Sequence, residues 1–300
     1  MIQKQSCIED AGDLVALETG LIGVLSALTA SSIWSLSPGL ISRYGKGTDA
    51  TTLNMLRGLH AVFVLFLIFH LTINERWFVP EGIFIVYISA FFGPLLGDTL
   101  YIYSIKHIGG GNAVSISYTY IFFAQLYSYL LYGEQLRIQL ILGSFIAIIG
   151  VYLVYSGQKN DIKITGFIAA LGAALSWGMG ATLSKLALNY GDPVTIALLR
   201  NLSTTISLLP ITYNSAKKVF LDKEIQITAF ITGGIGFGVG MTLFLTAINT
   251  IGVSATVLAT SLTPVLGRIL AKFIAGEKPS PKTYLGTIIT STGIFIGLYF

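Results

Sequence analysis

One acid in this chain stands where water is scarce. Asp98, in the run Gly97-Asp98-Thr99-Leu100-Tyr101, lies about two-thirds along an apolar segment near residues 82–105. A charge at the centre of a membrane helix costs about 2.5–3.5 kcal/mol on insertion scales, so such a residue needs a reason. Two readings are open. Asp98, with Tyr101 beside it, exchanges a proton or gathers a cation; or it is a structural acid satisfied by hydroxyls such as Thr99 or those of the fourth segment. Two bases come next, Arg57 and Arg200, each two turns inside an apolar segment. They can bind an anionic group such as a carboxylate. The commoner role for a base near a helix end is to snorkel, or to pair with its own loop, here Asp49 and Asp192. His60, one turn beyond Arg57 on the same face, extends that polar lining or is simply hydrogen-bonded.

Hydroxyls and aromatics mark two further segments. The spacings 117, 120, 124 and 260, 263, 267 put Ser117 and Tyr120 on one helical stripe and Thr260 and Thr263 on another. Gln125 and Arg268 occupy aligned positions deep enough to face protein rather than lipid. Such stripes suit a cavity lined with hydrogen-bonding groups, or they hold helices together. Trp34 and Trp177 sit mid-segment, too deep for an interface belt, and are read as cavity wall or contact between halves.

Catalysis fits these residues poorly. Intramembrane aspartyl chemistry needs two acids sharing a proton, and Asp49, Glu134, Asp192 and Glu277 all fall at segment ends. No paired histidines, metal-ligand spacing or phosphate-cradling glycine loop is present, so neither a metal, a cofactor nor direct ATP drive is expected. A channel would show a filter loop or a ring of like residues, and none is visible.

The elements that position these groups follow from composition. Of 300 residues, 53% are hydrophobic and 11% charged, with mean hydropathy +0.76. A soluble surface needs roughly a quarter of its residues charged, so most of this surface faces lipid. The net charge of +4 forms no basic stripe, which argues against nucleic acid. The single cysteine, Cys7, excludes an internal disulfide. A bilayer core takes about 20 apolar residues as helix. Ten runs qualify, near 19–42, 51–72, 82–105, 112–132, 137–156, 164–188, 194–213, 226–249, 254–274 and 282–299. The runs do not alternate as a barrel requires. The expected class is all-α integral membrane: ten transmembrane helices, preceded by an acidic tail over 1–18.

An offset of 143 residues aligns the two halves without a gap. Trp34 falls on Trp177, Asp49 on Asp192, Leu56-Arg57 on Leu199-Arg200, Gly93 and Gly97 on Gly236 and Gly240, Gly109 on Gly252, and Gly133-Glu134 on Gly276-Glu277. Gly143 and Gly150 fall on Gly286 and Gly293, whereas Asp98 falls on Met241. Two five-helix repeats result, 19–156 and 162–299. Five is odd, so the second enters the membrane from the opposite face. Inverted repeats open a midplane site to alternate sides. The glycine pairs are read as packing devices, with Gly143, Gly150, Gly286 and Gly293 joining the fifth and tenth helices. The cavity is expected between the halves, lined by helices one to four and six to nine.

This constellation resembles the EamA family of the drug/metabolite transporter superfamily over residues 19–299. Three features carry the resemblance: the five-plus-five count, the Gly-Glu closing helices four and nine (Gly133-Glu134, Gly276-Glu277), and the small-residue segments beginning those helices. Thr263-Pro264 fits the family's proline in helix nine. The first half has Tyr120-Ile121 there, so helix four is expected to lack that kink. The resemblance implies a secondary transporter of small metabolites, amino acids or drug-like compounds, usually by efflux, in the cell membrane. A proton or counter-substrate is an expected partner, and a monomer suffices. One face, holding both termini, carries Lys4, Arg76, Arg137 and Lys185; the other carries ten basic residues, Lys159 among them. The positive-inside rule puts both termini outside, whereas the resemblance implies the cytoplasm.

Overall fold

The computed structural model describes residues 2–71, 76–133, 138–157 and 163–299. Glu134, Arg137 and Lys159 lie outside the described residues. Among the described residues helices are joined by short turns and loops, with no strand and one isolated antiparallel bridge between Phe78 and Gly191. Helix is what lipid demands, because the backbone must satisfy its own N–H and C=O groups. In the first half run α1 (Ile2–Trp34), α2 (Ser37–Tyr44), α3 (Ala50–Leu71), α4 (Ile83–Ala90), α5 (Asp98–Ile108), α6 (Gly110–Ser117), α7 (Tyr120–Tyr132) and α8 (Ile138–Ser156). In the second run α9 (Ile164–Ala187), α10 (Pro193–Val219), α11 (Lys223–Ala229), α12 (Met241–Ala259), α13 (Thr263–Ala275) and α14 (Pro281–Tyr299). α1 already begins at Ile2, within the stretch read as a tail. Six helical stretches among the described residues are long and apolar enough to cross a membrane: 18–47, 50–71, 80–108, 164–187, 193–219 and 223–257. Their outward faces carry large apolar side chains such as Phe63, Phe66, Phe84, Ile168 and Ile211. This is a multi-pass membrane protein.

Several runs that read as single helices are broken, and the breaks have local causes. Pro38 stands at the start of α2, where its missing N–H does no harm. Pro94 cannot donate in a regular α turn, and the chain widens into a π-helical stretch, Phe91–Gly97. The matching stretch in the second half, Phe230–Gly240, contains no proline but five glycines. Helix four breaks too, contrary to expectation. α6 ends at Ser117 and α7 begins at Tyr120. No proline is needed, because the Thr119 hydroxyl donates to the Ile116 carbonyl at 2.7 Å and the Thr119 amide donates to the same oxygen at 3.1 Å. The equivalent break in the second half is the tight turn Thr260–Leu262 before Pro264.

Four glycines have positive φ: Gly109 (82°), Gly133 (68°), Gly252 (79°) and Gly276 (68°). They are two pairs at the repeat offset, so the duplication survives in backbone conformations that an L side chain adopts at a cost. Packing crosses between the halves. α3 lies against α10 and the 230–240 stretch, α9 against α5, α7 and the 91–97 stretch, α1 against α12, and α8 against α14. In the last pair the backbones nearly touch. A Cβ on Gly286 would stand 2.7 Å from the Gly150 carbonyl, and one on Gly293 would stand 2.6 Å from the Gly143 carbonyl.

Candidate functional site

The two π-helical stretches do more than bend the chain. A wide turn leaves carbonyl oxygens available to side chains, and the described side chains use them. Asn54 Nδ2 donates to the Pro94 carbonyl at 2.7 Å, and Ser176 Oγ to that of Phe92 at 2.7 Å. In the other half Arg57 Nη2 donates to Thr232 O at 3.3 Å, and Trp34 Nε1 to Gly236 O at 2.9 Å.

Between these stretches lies a cavity with about 670 Å³ of empty space, part of it open to the outside. One wall is aromatic and hydroxylated: Tyr101, Tyr118, Tyr120 and Trp177, with the Trp177 ring 4.8, 6.0 and 5.9 Å from the three tyrosine rings in turn. The facing wall is Trp34, Phe237 and Phe244, with the Trp34 and Phe244 rings 5.2 Å apart. Arg57, Asp98 and Arg200 complete it, with Gly93, Pro94, Ala181, Met241 and Ser37.

Both arginines are turned inward, each 2% exposed. Neither snorkels and neither meets its loop acid. Asp49 and Asp192 instead cap the helices they precede: Asp49 accepts from the Thr52 amide at 2.8 Å, and Asp192 from the Val194 amide at 3.1 Å. Arg76 is the base beside Asp192, at 3.3 Å. Arg57 Nη1 lies 3.4 Å from Asp98 Oδ1, and its guanidinium stands 4.1 Å over the Phe237 ring. The other Asp98 oxygen accepts from Trp177 Nε1 at 3.3 Å. Asp98 is therefore satisfied by a base and an indole, not by Thr99, whose hydroxyl donates to Leu95 O at 2.6 Å.

Arg200 repeats the arrangement with one change. Its Nη2 donates to Ser89 O at 3.2 Å, and Ser89 is the repeat partner of Thr232. Where Arg57 meets Asp98, Arg200 meets Met241, with Nη1 3.6 Å from Sδ. Each arginine thus reaches a carbonyl in the opposite half.

The glycines in this region make room for the site. A Cβ on Gly97 would collide with the Trp177 ring, one on Gly240 would stand 2.8 Å from Trp34 Nε1, and one on Gly93 would collide with Arg200. The Gly97 Cβ would also meet the Phe92 carbonyl of its own π-helical stretch at 2.9 Å, and a Cβ on Gly180 would stand 2.7 Å from the Gly93 backbone. A Cβ on Gly236 would meet nothing closer than 3.7 Å. Gly97 and Gly240 therefore admit indoles rather than a second helix backbone.

The remaining candidates lie outside the lining. His60 bonds Gln226 Oε1 at 2.9 Å, away from the cavity. Ser117 donates to Ala170 O at 3.1 Å, and Thr263 meets Ser31 Oγ at 2.7 Å; both join helices. Thr260 stands one layer back, 3.0 Å from the Tyr120 hydroxyl. Gln125 is half-buried and contributes nothing to the wall. Helix nine therefore backs the cavity without lining it. Arg268 donates to Asn112 Oδ1 at 2.8 Å and lines a second pocket with Glu277. There Gly276 turns the chain so that the Glu277 carboxylate accepts from the Gly110 and Gly111 amides at 2.6 and 3.1 Å, closing the N-terminus of α6. Sequence reasoning passed over Phe237, Phe244 and Met241 as lining, because apolar residues in an apolar helix carry no signal of where they point.

A helical membrane protein with a largely aromatic cavity that holds buried charges at the meeting of two repeats is the architecture of a solute transporter. The EamA-like transporter family model matches residues 21–156 and 164–299, and this chain belongs to that family. It is 29% identical over 283 residues to an uncharacterized transporter of Archaeoglobus fulgidus, covering 92% of this chain and 98% of that one. It is 26% identical over 194 residues to a probable amino-acid metabolite efflux pump of Escherichia coli, covering 59% of this chain and 64% of that one. A solved crystal structure shares its fold, with TM-score 0.62 at 17% identity over 94% of this chain and 98% of the other.

Proposed function

We propose that this protein is a secondary transporter of small organic solutes that works by alternating access between two inverted five-helix repeats, 19–156 and 162–299, with ten membrane crossings. It is read as an exporter or exchanger rather than an enzyme. The observation that carries the reading is the crossed pair of arginine contacts, Arg57 to Thr232 O and Arg200 to Ser89 O, made at one repeat offset on either side of the cavity. Related contacts of this kind let one half rock against the other while the site stays central. Trp34, Arg57, Asp98, Tyr101, Tyr120, Trp177 and Arg200 are the substrate-facing residues. Asp98 is the group through which a proton, or failing that a counter-substrate, is coupled. The efflux-pump name of the Escherichia coli relative supports export.

Solute uptake into proteoliposomes, with and without a pH gradient, tests the reading. Accumulation that follows the gradient is the expected result. Asp98→Asn should abolish gradient-driven accumulation and leave downhill exchange. An Asp98→Asn protein that still concentrates solute, with an unchanged pH profile, would return Asp98 to a structural role.

A further inference from the structure

Charge arithmetic around the cavity narrows what can enter it, on the reading that it is the substrate site. Three charged side chains line it: Arg57, Asp98 and Arg200. Arg57 and Asp98 neutralise each other at 3.4 Å. Arg200 is left with a carbonyl oxygen, a thioether sulfur and an Nε that has no hydrogen-bond partner. Among the described residues no carboxylate lies within ion-pair distance of it. A guanidinium stays protonated, and an uncompensated charge out of water is costly. The cavity thus carries one surplus positive charge beside a wall of aromatic rings.

We propose that the cavity takes an organic monoanion with an apolar body, its carboxylate held by Arg200 and its body between Trp34, Phe237 and Phe244. Asp98 does not serve a substrate ammonium in this state, because Arg57 already balances its charge at 3.4 Å and Trp177 donates to its other oxygen. The repeat supplies a second consequence. Met241 is where the second half lacks its acid, so Met241→Asp would give Arg200 the partner that Arg57 has. Conversely, Asp98→Asn would free Arg57 and make room for a second negative charge.

The test is calorimetric binding to the purified full chain, using 3-phenylpropionate, phenylalanine, phenethylamine and succinate as probes. The expected order is 3-phenylpropionate tightest, phenylalanine at least tenfold weaker, and phenethylamine undetectable. Arg200→Gln and Met241→Asp should each weaken 3-phenylpropionate at least tenfold, Arg200→Lys should keep the preference for the anion, and Asp98→Asn should gain succinate binding. Phenethylamine or phenylalanine binding as tightly as 3-phenylpropionate overturns the proposal. So does full binding by both Arg200→Gln and Met241→Asp, or no binding of any probe. Counterflow of the same probes in proteoliposomes separates the two claims. Anion binding without counterflow overturns the transport reading and leaves the anion site; counterflow of the amine alone does the reverse.

Discussion

Arg57 and Arg200 began as the same residue in a duplicated chain and still occupy the same place in their halves. Each is buried, each lines the cavity, and each donates to a carbonyl of the opposite half. They differ in what faces them across the third helix of their repeat: Asp98 for one, Met241 for the other. Duplication supplied a symmetric frame, and a single position then decided which arginine is neutralised and which is not. The same contrast appears in the indoles. Trp34 donates to a backbone carbonyl, while its partner Trp177 donates to Asp98.

That comparison can be broken most severely at the ion pair. Arg57→Gln strands Asp98 as a buried charge without its base, and breaking such a pair costs about 3–5 kcal/mol. Arg200→Gln removes a charge that meets no carboxylate among the described residues and should cost much less. Thermal unfolding in detergent reads both, and equal losses would mean the two stations are energetically alike.

Next in size is the room made for the indoles. Gly97→Ala and Gly240→Ala each crowd a tryptophan ring, and overpacking costs about 1–3 kcal/mol. The two should lower the melting temperature similarly. Only Gly97→Ala should alter the pH profile of transport, because only Trp177 reaches Asp98. A matched shift from Gly240→Ala would separate the profile from that hydrogen bond.

A smaller effect sharpens the frame itself. Nothing lies within 4 Å of a Cβ at Gly133 or Gly276, so alanine at either meets only its left-handed backbone and should cost about 1 kcal/mol. Glu277→Gln, which weakens the cap on α6, should cost about as much. Proteolytic nicking near residues 109–111 would report it.

The smallest effect is at the helix start. Burial would push the Asp49 carboxyl up, but hydrogen bonds from the Thr52 hydroxyl and amide outweigh it and hold Asp49 below its ordinary value of 3.8. Its contribution is therefore present above that pH and is lost as pH falls through its lower folded value. Asp49→Asn should remove this acid sensitivity, read as a flatter stability curve below about pH 4.

Much of this was legible beforehand because composition and spacing are properties of the chain alone. A surface with so few charges has to lie in lipid, and lipid admits helix. Trp, Arg, Asp and Gly recurring at one offset mark a duplication whatever the packing. The same spacing marked Arg57, Arg200, Trp34 and Trp177, and depth alone marked Asp98, since a polar residue deep in an apolar run stands out. What spacing could not give was partnership. His60 was open to two readings on the same helix as Arg57, and its bond to Gln226 selects the simply hydrogen-bonded one. Helix four breaks without proline, because a threonine hydroxyl can take a carbonyl that the next turn would have used.

The sequence by itself determined the solvent this protein lives in, its helical class, its twofold history and which side chains are too costly to be there by accident. Only the tertiary structure decided that Arg57 has its charge answered and Arg200 does not. The reason is distance. Asp98 lies 41 residues from Arg57, and no local rule of spacing brings two helices of one repeat to 3.4 Å. Phe237 and Thr232, from the other half, complete the same contact, so the packing of the whole bundle sets the charge of its cavity.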